Sequence, residues 1–197
     1  MDDTIYDEIL YLKQAYRYIG ERLCHSISDC KFTPNDVSSF LSLEFEKDGR
    51  SRLYEKLANK YSIGNFSLDD FLDCMRTVPL KDGSMKIRLE MQSLINELVK
   101  KKKMMFILTN GNIDQQKNKI NSLDFPHKNK IEIYYASSMG SDFQKPNPYF
   151  INKIKEACSS DGSDIIFVGD SEVDRKAALN SDVEFINVRD LEFQSKY

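Results

Sequence analysis

Four short runs of apolar residues alternate with helical patterns in the second half of the chain. These runs are residues 104–108, 131–135, 165–168 and 184–188. The helical patterns between them cover residues 113–120, 148–157 and 173–179. The apolar runs are too short for helices, and strands that alternate with helices assemble into a parallel sheet. The sequence therefore predicts an α/β fold with a parallel sheet flanked by helices.

Residues 8–78 follow a different pattern, in which apolar residues recur at every third or fourth position. In the first helix this spacing joins Ile9, Leu12, Tyr16, Ile19 and Leu23. Thr33 before Pro34 is a favourable start for a second helix, and Ser67 is one for a later helix. Because no strand pattern interrupts them, these helices are expected to form a small antiparallel bundle.

Composition excludes several classes of protein. The 197 residues carry 28 basic and 31 acidic side chains, with a net charge of −3 and no extended basic cluster, so a nucleic-acid surface is not expected. No stretch reaches the roughly 18 consecutive apolar residues of a membrane span, and the four cysteines lack the spacing of a zinc site. We expect a cytoplasmic monomer or homodimer that binds neither nucleic acid nor a membrane.

Polar residues follow three of the predicted strands. They are Thr109, Asn110 and Gly111 after the first strand, Lys145 after the second, and Asp170 and Asp174 after the third. Alone, each has an ordinary interpretation as a turn, an exposed lysine or a helix cap. Ligands, however, bind beyond the carboxyl ends of strands in such sheets. A hydroxyl, a lysine between prolines and two carboxylates suit phosphate and Mg²⁺ there.

In this order the residues resemble the motifs of the haloacid dehalogenase superfamily. Thr109 in Leu-Thr-Asn-Gly matches the second motif, Lys145 matches the third, and Asp170 with Asp174 matches the fourth. The resemblance implies a Rossmann-like core of residues 1–7 and 79–197 with a helical cap of residues 8–78. It also implies a magnesium-dependent hydrolase that acts on a small phosphorylated metabolite through an aspartyl-phosphate intermediate.

The resemblance also implies individual roles. Thr109 and Lys145 would be catalytic, and Asn110 and Gly111 would join them in binding phosphate. Asp170, Asp174 and the backbone carbonyl of Asp2 would bind the metal. Tyr6, Tyr11 and Tyr16 are aromatic candidates for substrate contact, although packing roles are more usual for such residues.

The first motif is matched only in part. Family members commonly read Asp, Leu, Asp, Asp, Thr, Leu, Tyr after an apolar strand, and this chain opens Met-Asp-Asp-Thr-Ile-Tyr. Asp2 then takes the place of the general acid/base. The nucleophilic aspartate would lie immediately before Met1, after a first central strand, and both are absent from the sequence. We therefore expect a phosphatase truncated before its nucleophile.

Three alternatives remain open. Asp2 itself could be the nucleophile, with Thr4 two residues later. The chain could be a catalytically inactive phosphate-binding or interaction protein of the same superfamily. It could also be a haloacid dehalogenase, which the acidic pair Asp170 and Asp174 disfavours because dehalogenation needs no magnesium.

Overall fold

The computed structural model describes residues 1–27 and 29–194. The helices of this part are α1 (Glu8–Ser26), α2 (Pro34–Asp48), α3 (Leu53–Lys60), α4 (Leu68–Thr77), α5 (Leu89–Lys100), α6 (Ile113–Ser122), α7 (Tyr149–Cys158), α8 (Glu172–Leu179) and α9 (Val188–Gln194). Its strands are β1 (Met85–Lys86), β2 (Met105–Thr109), β3 (Leu123–Asp124), β4 (Ile131–Tyr135), β5 (Ile166–Gly169) and β6 (Glu184–Asn187). None of these helices has the length and hydropathy that a membrane crossing needs.

Contacts divide the chain into two compact units. The first unit comprises Met1–Asp7, Lys86–Gln116 and the described residues from Leu123 onward. The second unit comprises Glu8–Met85 and Lys117–Ser122. Each unit therefore combines segments that are distant in sequence. The assignment of residues 8–78 as a cap domain stays a prediction.

The first unit contains the parallel strands that the sequence predicted. Strand β2 pairs with β4, from Met105 opposite Ile131 to Thr109 opposite Tyr135. Strand β5 pairs with β6, from Ile166 opposite Glu184 to the end of both strands. Apolar side chains from β2, α7 and α8 form a core that includes Leu108, Ile151 and Ala177. The α/β class of the fold is therefore confirmed.

The arrangement of these strands differs from the predicted single sheet. Within the described residues, β2–β4 and β5–β6 are separate two-stranded sheets, and no ladder joins β2 to β5. A ladder forms only between strands whose backbones lie about 4.8 Å apart. The prediction that three successive site-bearing strands share one continuous sheet is therefore wrong for this structure.

The second unit is helical, and α1 packs against α2. Leu12, Tyr16, Ile19 and Leu23 of α1 are fully buried, which confirms the predicted apolar face. At Gly20 the two helices approach closely, because a Cβ there would lie only 2.6 Å from Pro34 Cα. Side-chain caps begin two of the helices as predicted: Thr33 and Ser67 each accept a hydrogen bond from the backbone three residues later.

A buried ion pair lies within the second unit. Lys119 Nζ is 2.7 Å from Glu8 Oε1, and the two side chains are only 1% and 8% exposed. The Arg50 guanidinium contacts the same carboxylate oxygen, and the Lys119 ammonium lies 4.9 Å from the centre of the Tyr11 ring. Buried charges of this kind need partners because desolvation penalises the ionised form.

Candidate active site

The predicted site residues lie in the first unit, at the carboxyl ends of its strands. Thr109 is the last residue of β2, and Asp170 directly follows β5. Lys145 lies in the loop between β4 and α7, and Asp174 lies in the first turn of α8. Parallel strands expose backbone groups at these ends, so this location is the expected place for a ligand.

Charged groups from distant parts of the first unit converge on the chain's first residue. Burial, followed by the charge of Lys145, lowers the pKa of the Met1 α-amino group, whereas Asp2, Asp174 and Asp170 act to raise it. All four charged side chains therefore influence one point. The Thr4 hydroxyl, which donates to Asp170 Oδ1 at 2.7 Å, places the N-terminal segment beside the loop after β5.

Lys145 and Asp174 form a buried ion pair. Lys145 Nζ donates to Asp174 Oδ1 at 2.6 Å, and the two side chains are only 8% and 6% exposed. The Leu108 carbonyl oxygen lies 3.4 Å from the same ammonium group. Burial alone would raise the pKa of Asp174, but the charge and hydrogen bond of Lys145, with the Ser171 hydroxyl, outweigh it and lower that pKa. The Asp174 carboxyl group is therefore ionised at neutral pH.

This pair predicts a pH dependence of stability. The folded-state pKa of Asp174 lies below its unfolded value, which is about 3.9. Its stabilisation is therefore fully present above that value and is lost as the pH falls through the folded-state pKa. Urea unfolding of the wild type and of Asp174→Asn should give a difference in free energy at about pH 6 that shrinks by about pH 3. A constant difference across that interval would contradict the assignment.

The second oxygen of Asp174 holds the start of α8. Ser171 Oγ donates to Asp174 Oδ2 at 2.7 Å, and the Asp174 backbone N–H donates back to Ser171 Oγ at 3.2 Å. Gly169 permits this packing, because a Cβ there would lie 2.6 Å from Asp174 Cβ. Both carboxylate oxygens of Asp174, which the motif assigned to the metal, therefore have protein partners.

Thr4 connects Asp170 to the N-terminal segment. Its hydroxyl is buried, donates to Asp170 Oδ1 at 2.7 Å, and lies 3.4 Å from the Asp2 carbonyl oxygen. The preferred alignment gave Thr4 no role, although its place in the Asp-Asp-Thr sequence was a usable signal. Thr4 thus holds together two oxygens that were predicted to bind the metal.

These two oxygens are candidate ligands for magnesium. In residues 1–27 and 29–194, no three His, Cys, Asp or Glu side chains are close enough to form a metal site by themselves. Mg²⁺, however, commonly takes only one or two carboxylates and completes its shell with water and substrate phosphate. Asp170 Oδ1 and the Asp2 carbonyl oxygen both lie within 3.4 Å of the Thr4 hydroxyl. This all-oxygen set fits magnesium.

The turn after β2 was predicted to bind phosphate, and its polar groups have protein partners in this structure. The Thr109 hydroxyl donates to Gln116 Oε1 at 3.1 Å. The carboxamide of Asn110 pairs with the backbone of Lys145, and the Gly111 N–H donates to Gln144 Oε1 at 3.2 Å. Neither glutamine was predicted, because an uncharged side chain outside the motifs gives no distinctive sequence signal.

The three tyrosines nominated for substrate contact are all fully buried. Tyr6, in the first unit, donates its hydroxyl to Asp2 Oδ1 at 2.8 Å. In the second unit, Tyr11 donates to the Met75 carbonyl at 2.6 Å, and Tyr16 Oη has no hydrogen-bond partner among the described residues. Burial raises the pKa of Tyr16. Their burial favours packing roles over contact with a substrate. Tyr6 also orients the carboxylate of Asp2.

Solved structures with the same fold have low sequence identity to this chain. A proposed β-phosphoglucomutase from Thermotoga maritima has a TM-score of 0.60 and 14% identity, over 100% of this chain and 95% of its own. A hydrolase from Streptococcus pneumoniae has a TM-score of 0.55 and 13% identity, again over 100% of this chain and 95% of its own. A proposed phosphoglycolate phosphatase from Lactobacillus delbrueckii has a TM-score of 0.54 and 19% identity, over 98% of this chain and 86% of its own.

At these identities the similarity establishes the fold and nothing finer. No curated protein sequence matches the chain. The family model of the haloacid dehalogenase-like hydrolases, however, matches residues 1–188. Because this match covers nearly the whole sequence, the chain belongs to the haloacid dehalogenase-like hydrolase family.

Proposed function

We propose that this protein is a magnesium-dependent phosphomonoester hydrolase that acts on a small phosphorylated metabolite through an aspartyl-phosphate intermediate. The observation that supports the proposal is a buried, ion-paired lysine together with two oxygen atoms that could bind a metal ion. Lys145 is fixed by Asp174, and Thr4 holds Asp170 near the Asp2 carbonyl oxygen. A fixed cation and hard oxygen ligands are what a transferring phosphoryl group requires.

Each residue then has a distinct role. Thr109 and Lys145 balance the charge of the transferring phosphoryl group, and the Thr109 hydroxyl can turn from Gln116 toward an anion because it rotates freely. Asp170 and the Asp2 carbonyl would hold magnesium, which supplies Lewis-acid neutralisation of phosphate charge when bound. Asp174, which the family motif also assigns to the metal, contacts Lys145 and the start of α8 through its two carboxylate oxygens.

Asp2 is assigned as the general acid/base. Tyr6 donates to one of its carboxylate oxygens at 2.8 Å and so orients the carboxyl group that would exchange a proton with the reacting group. A carboxylate two positions earlier would attack phosphorus, and the ester bond to the leaving alcohol would break as Asp2 gives it a proton. Asp2 would then take a proton from the water that hydrolyses the acyl phosphate.

The named neighbours agree with a phosphorylated substrate. One is called a phosphoglycolate phosphatase and another a β-phosphoglucomutase, and both names describe reactions at the phosphate of a small molecule. They support the substrate class and do not select one member of it.

An aspartate added two positions before Asp2 provides the test. The chain should be extended at its N-terminus by an apolar strand that ends in aspartate, and a matched extension should end in asparagine. With Mg²⁺, the aspartate form should hydrolyse para-nitrophenyl phosphate at least about 1000-fold faster than the asparagine form. A chelator should abolish this activity. Hydrolysis that persists without metal would refute the proposal.

The remaining outcomes separate the alternatives. Turnover by the unextended chain would identify Asp2 as the nucleophile, with Thr4 in the second position. If the aspartate form has the circular dichroism spectrum of a folded α/β protein and binds phosphate but hydrolyses nothing, the inactive phosphate-binding alternative is correct.

A further inference from the structure

The Asn110 side chain pairs with both main-chain polar groups of Lys145. Asn110 Nδ2 donates to the Lys145 carbonyl oxygen, and the Lys145 N–H donates to Asn110 Oδ1, each at 2.9 Å. The two residues are 35 positions apart in sequence. A planar carboxamide offers one donor side and one acceptor side, so it binds the backbone of Lys145 as a neighbouring strand would.

The same turn also contacts the other end of Lys145 and the residue before it. The Leu108 carbonyl lies 3.4 Å from Lys145 Nζ, and the Gly111 N–H donates to Gln144 Oε1 at 3.2 Å. Residues 108–111 therefore hold Lys145 at its backbone and at its ammonium group. A lysine side chain has four rotatable bonds, so fixing both ends removes much of the freedom that an unrestrained lysine would have.

We propose that Asn110 is a positioning residue, which acts on phosphate through Lys145 and makes no essential contact with phosphate itself. The inference rests on the proposed function, because it takes this site to be the phosphate site. It changes the role that the motif gave Asn110, since the carboxamide is directed at the Lys145 backbone. Without this pairing, Lys145 Nζ would leave its position beside Asp174 for part of the time, and the site would lose its fixed cation.

The reactivity of the Lys145 amine tests the positioning directly, without any need for activity. The full chain should be treated with a limiting amount of an acetylating ester, and labelling of each lysine should be followed by mass spectrometry. In the wild type the Lys145 amine is protected by burial and by its pairing with Asp174. In Asn110→Ala the labelling rate of Lys145 should rise about 10-fold.

Two controls separate positioning from general loosening of the fold. Lys155, which donates to the Ser181 carbonyl at 2.9 Å in the same unit, should keep its labelling rate. Asn147→Ala also removes a carboxamide that pairs with backbone on both sides, to Asp142 at 3.0 Å and to Tyr149 at 2.8 Å. That variant should leave Lys145 protected. An unchanged Lys145 rate in folded Asn110→Ala would overturn the proposal.

A double-mutant cycle on phosphate binding then tests how Asn110 acts. The affinity for inorganic phosphate with Mg²⁺ should be measured calorimetrically for the wild type, Asn110→Ala, Lys145→Met and the double variant. Asn110→Ala alone should weaken binding about 10-fold, but by less than about 2-fold when Lys145 is already methionine. Losses that simply add would mean that Asn110 binds phosphate directly, and would overturn the proposal.

A second variant at position 110 and one further outcome of the phosphate measurement distinguish the remaining possibilities. Asn110→Asp keeps the acceptor for the Lys145 N–H but loses the donor to the Lys145 carbonyl oxygen. The labelling rate of Lys145 in this variant should therefore be higher than in the wild type. If the wild type binds no phosphate, the proposed function fails and the phosphate part of this inference fails with it. The labelling rates then still decide whether Asn110 holds Lys145.

Discussion

Replacing Asp170 with asparagine should lower kcat for para-nitrophenyl phosphate by about 1000-fold in the chain that carries the added strand and aspartate. Asparagine keeps an oxygen that can accept a hydrogen bond from the Thr4 hydroxyl, which donates to Asp170 Oδ1 at 2.7 Å. It removes the negative charge that would hold magnesium. The local packing is therefore preserved while the metal ligand is weakened, and kcat measured over a wide range of Mg²⁺ concentrations reports the loss.

Glu172→Gln is the matched control for this variant. It removes another carboxylate two residues further along, at the start of α8, where the exposed Glu172 side chain pairs with Arg175. The change should alter kcat by less than about 2-fold, because exposed ion pairs contribute little. If Asp170→Asn kept more than about a tenth of the wild-type activity at saturating Mg²⁺, Asp170 would not be the principal metal ligand.

The largest effect on stability is expected at the buried ion pair of the second unit. Lys119→Met should lower the free energy of unfolding by about 3 kcal/mol, measured by urea denaturation. The reason is that Glu8, only 8% exposed, would lose the partner that lies 2.7 Å away. Arg50 would remain beside Glu8, which keeps the loss near the lower end of values for broken buried pairs.

Replacing both partners should recover most of this loss. In Glu8→Leu with Lys119→Met neither buried charge remains, and the Arg50 side chain, which is 59% exposed, can turn toward solvent. Apolar groups of similar volume often replace a buried pair without cost. Lys153→Met, which breaks the exposed pair with Glu156, should change the free energy of unfolding by less than about 0.5 kcal/mol. A loss below about 1 kcal/mol in Lys119→Met would mean that Arg50 alone satisfies Glu8.

The strands were predictable in kind because their short apolar runs are local features of the sequence. Ile131–Tyr135 was predicted to the residue, whereas β2 and β5 each end one residue later than their apolar runs. The register explains the shift, because Thr109 pairs opposite Tyr135 and Gly169 pairs opposite Asn187. Pairing with a distant strand extends a strand past its apolar residues, and hydropathy does not record this.

The charged residues of the site were predictable for a similar reason, whereas their partners were not. Lys145 and Asp170 follow strands and match family motifs, so sequence position alone nominated them. Thr4, Gln116 and Gln144 are uncharged, and their hydrogen bonds depend on packing between distant segments. Such contacts carry no periodicity, so the sequence could not distinguish these side chains from surface polar residues.

The role of Asp174 shows how a local signal can be overlooked. The helix was predicted to begin at Val173, but α8 begins at Glu172 with Ser171 as its cap. Asp174 is then the third helical residue and closes a capping box with Ser171. A serine three residues before an acidic residue is a local signal for such a cap, and the metal role that the family motif implies for Asp174 stays a prediction beside it.

The Lys145–Asp174 pair also bears on how two ligands would bind together. Lys145 is already paired with Asp174, so this lysine by itself offers a phosphate dianion little uncompensated positive charge. A divalent cation bound nearby would supply the positive charge that the dianion needs. The affinities for the two ligands are then thermodynamically linked. The factor by which the cation increases the affinity for the phosphate ester equals the factor by which the ester increases the affinity for the cation.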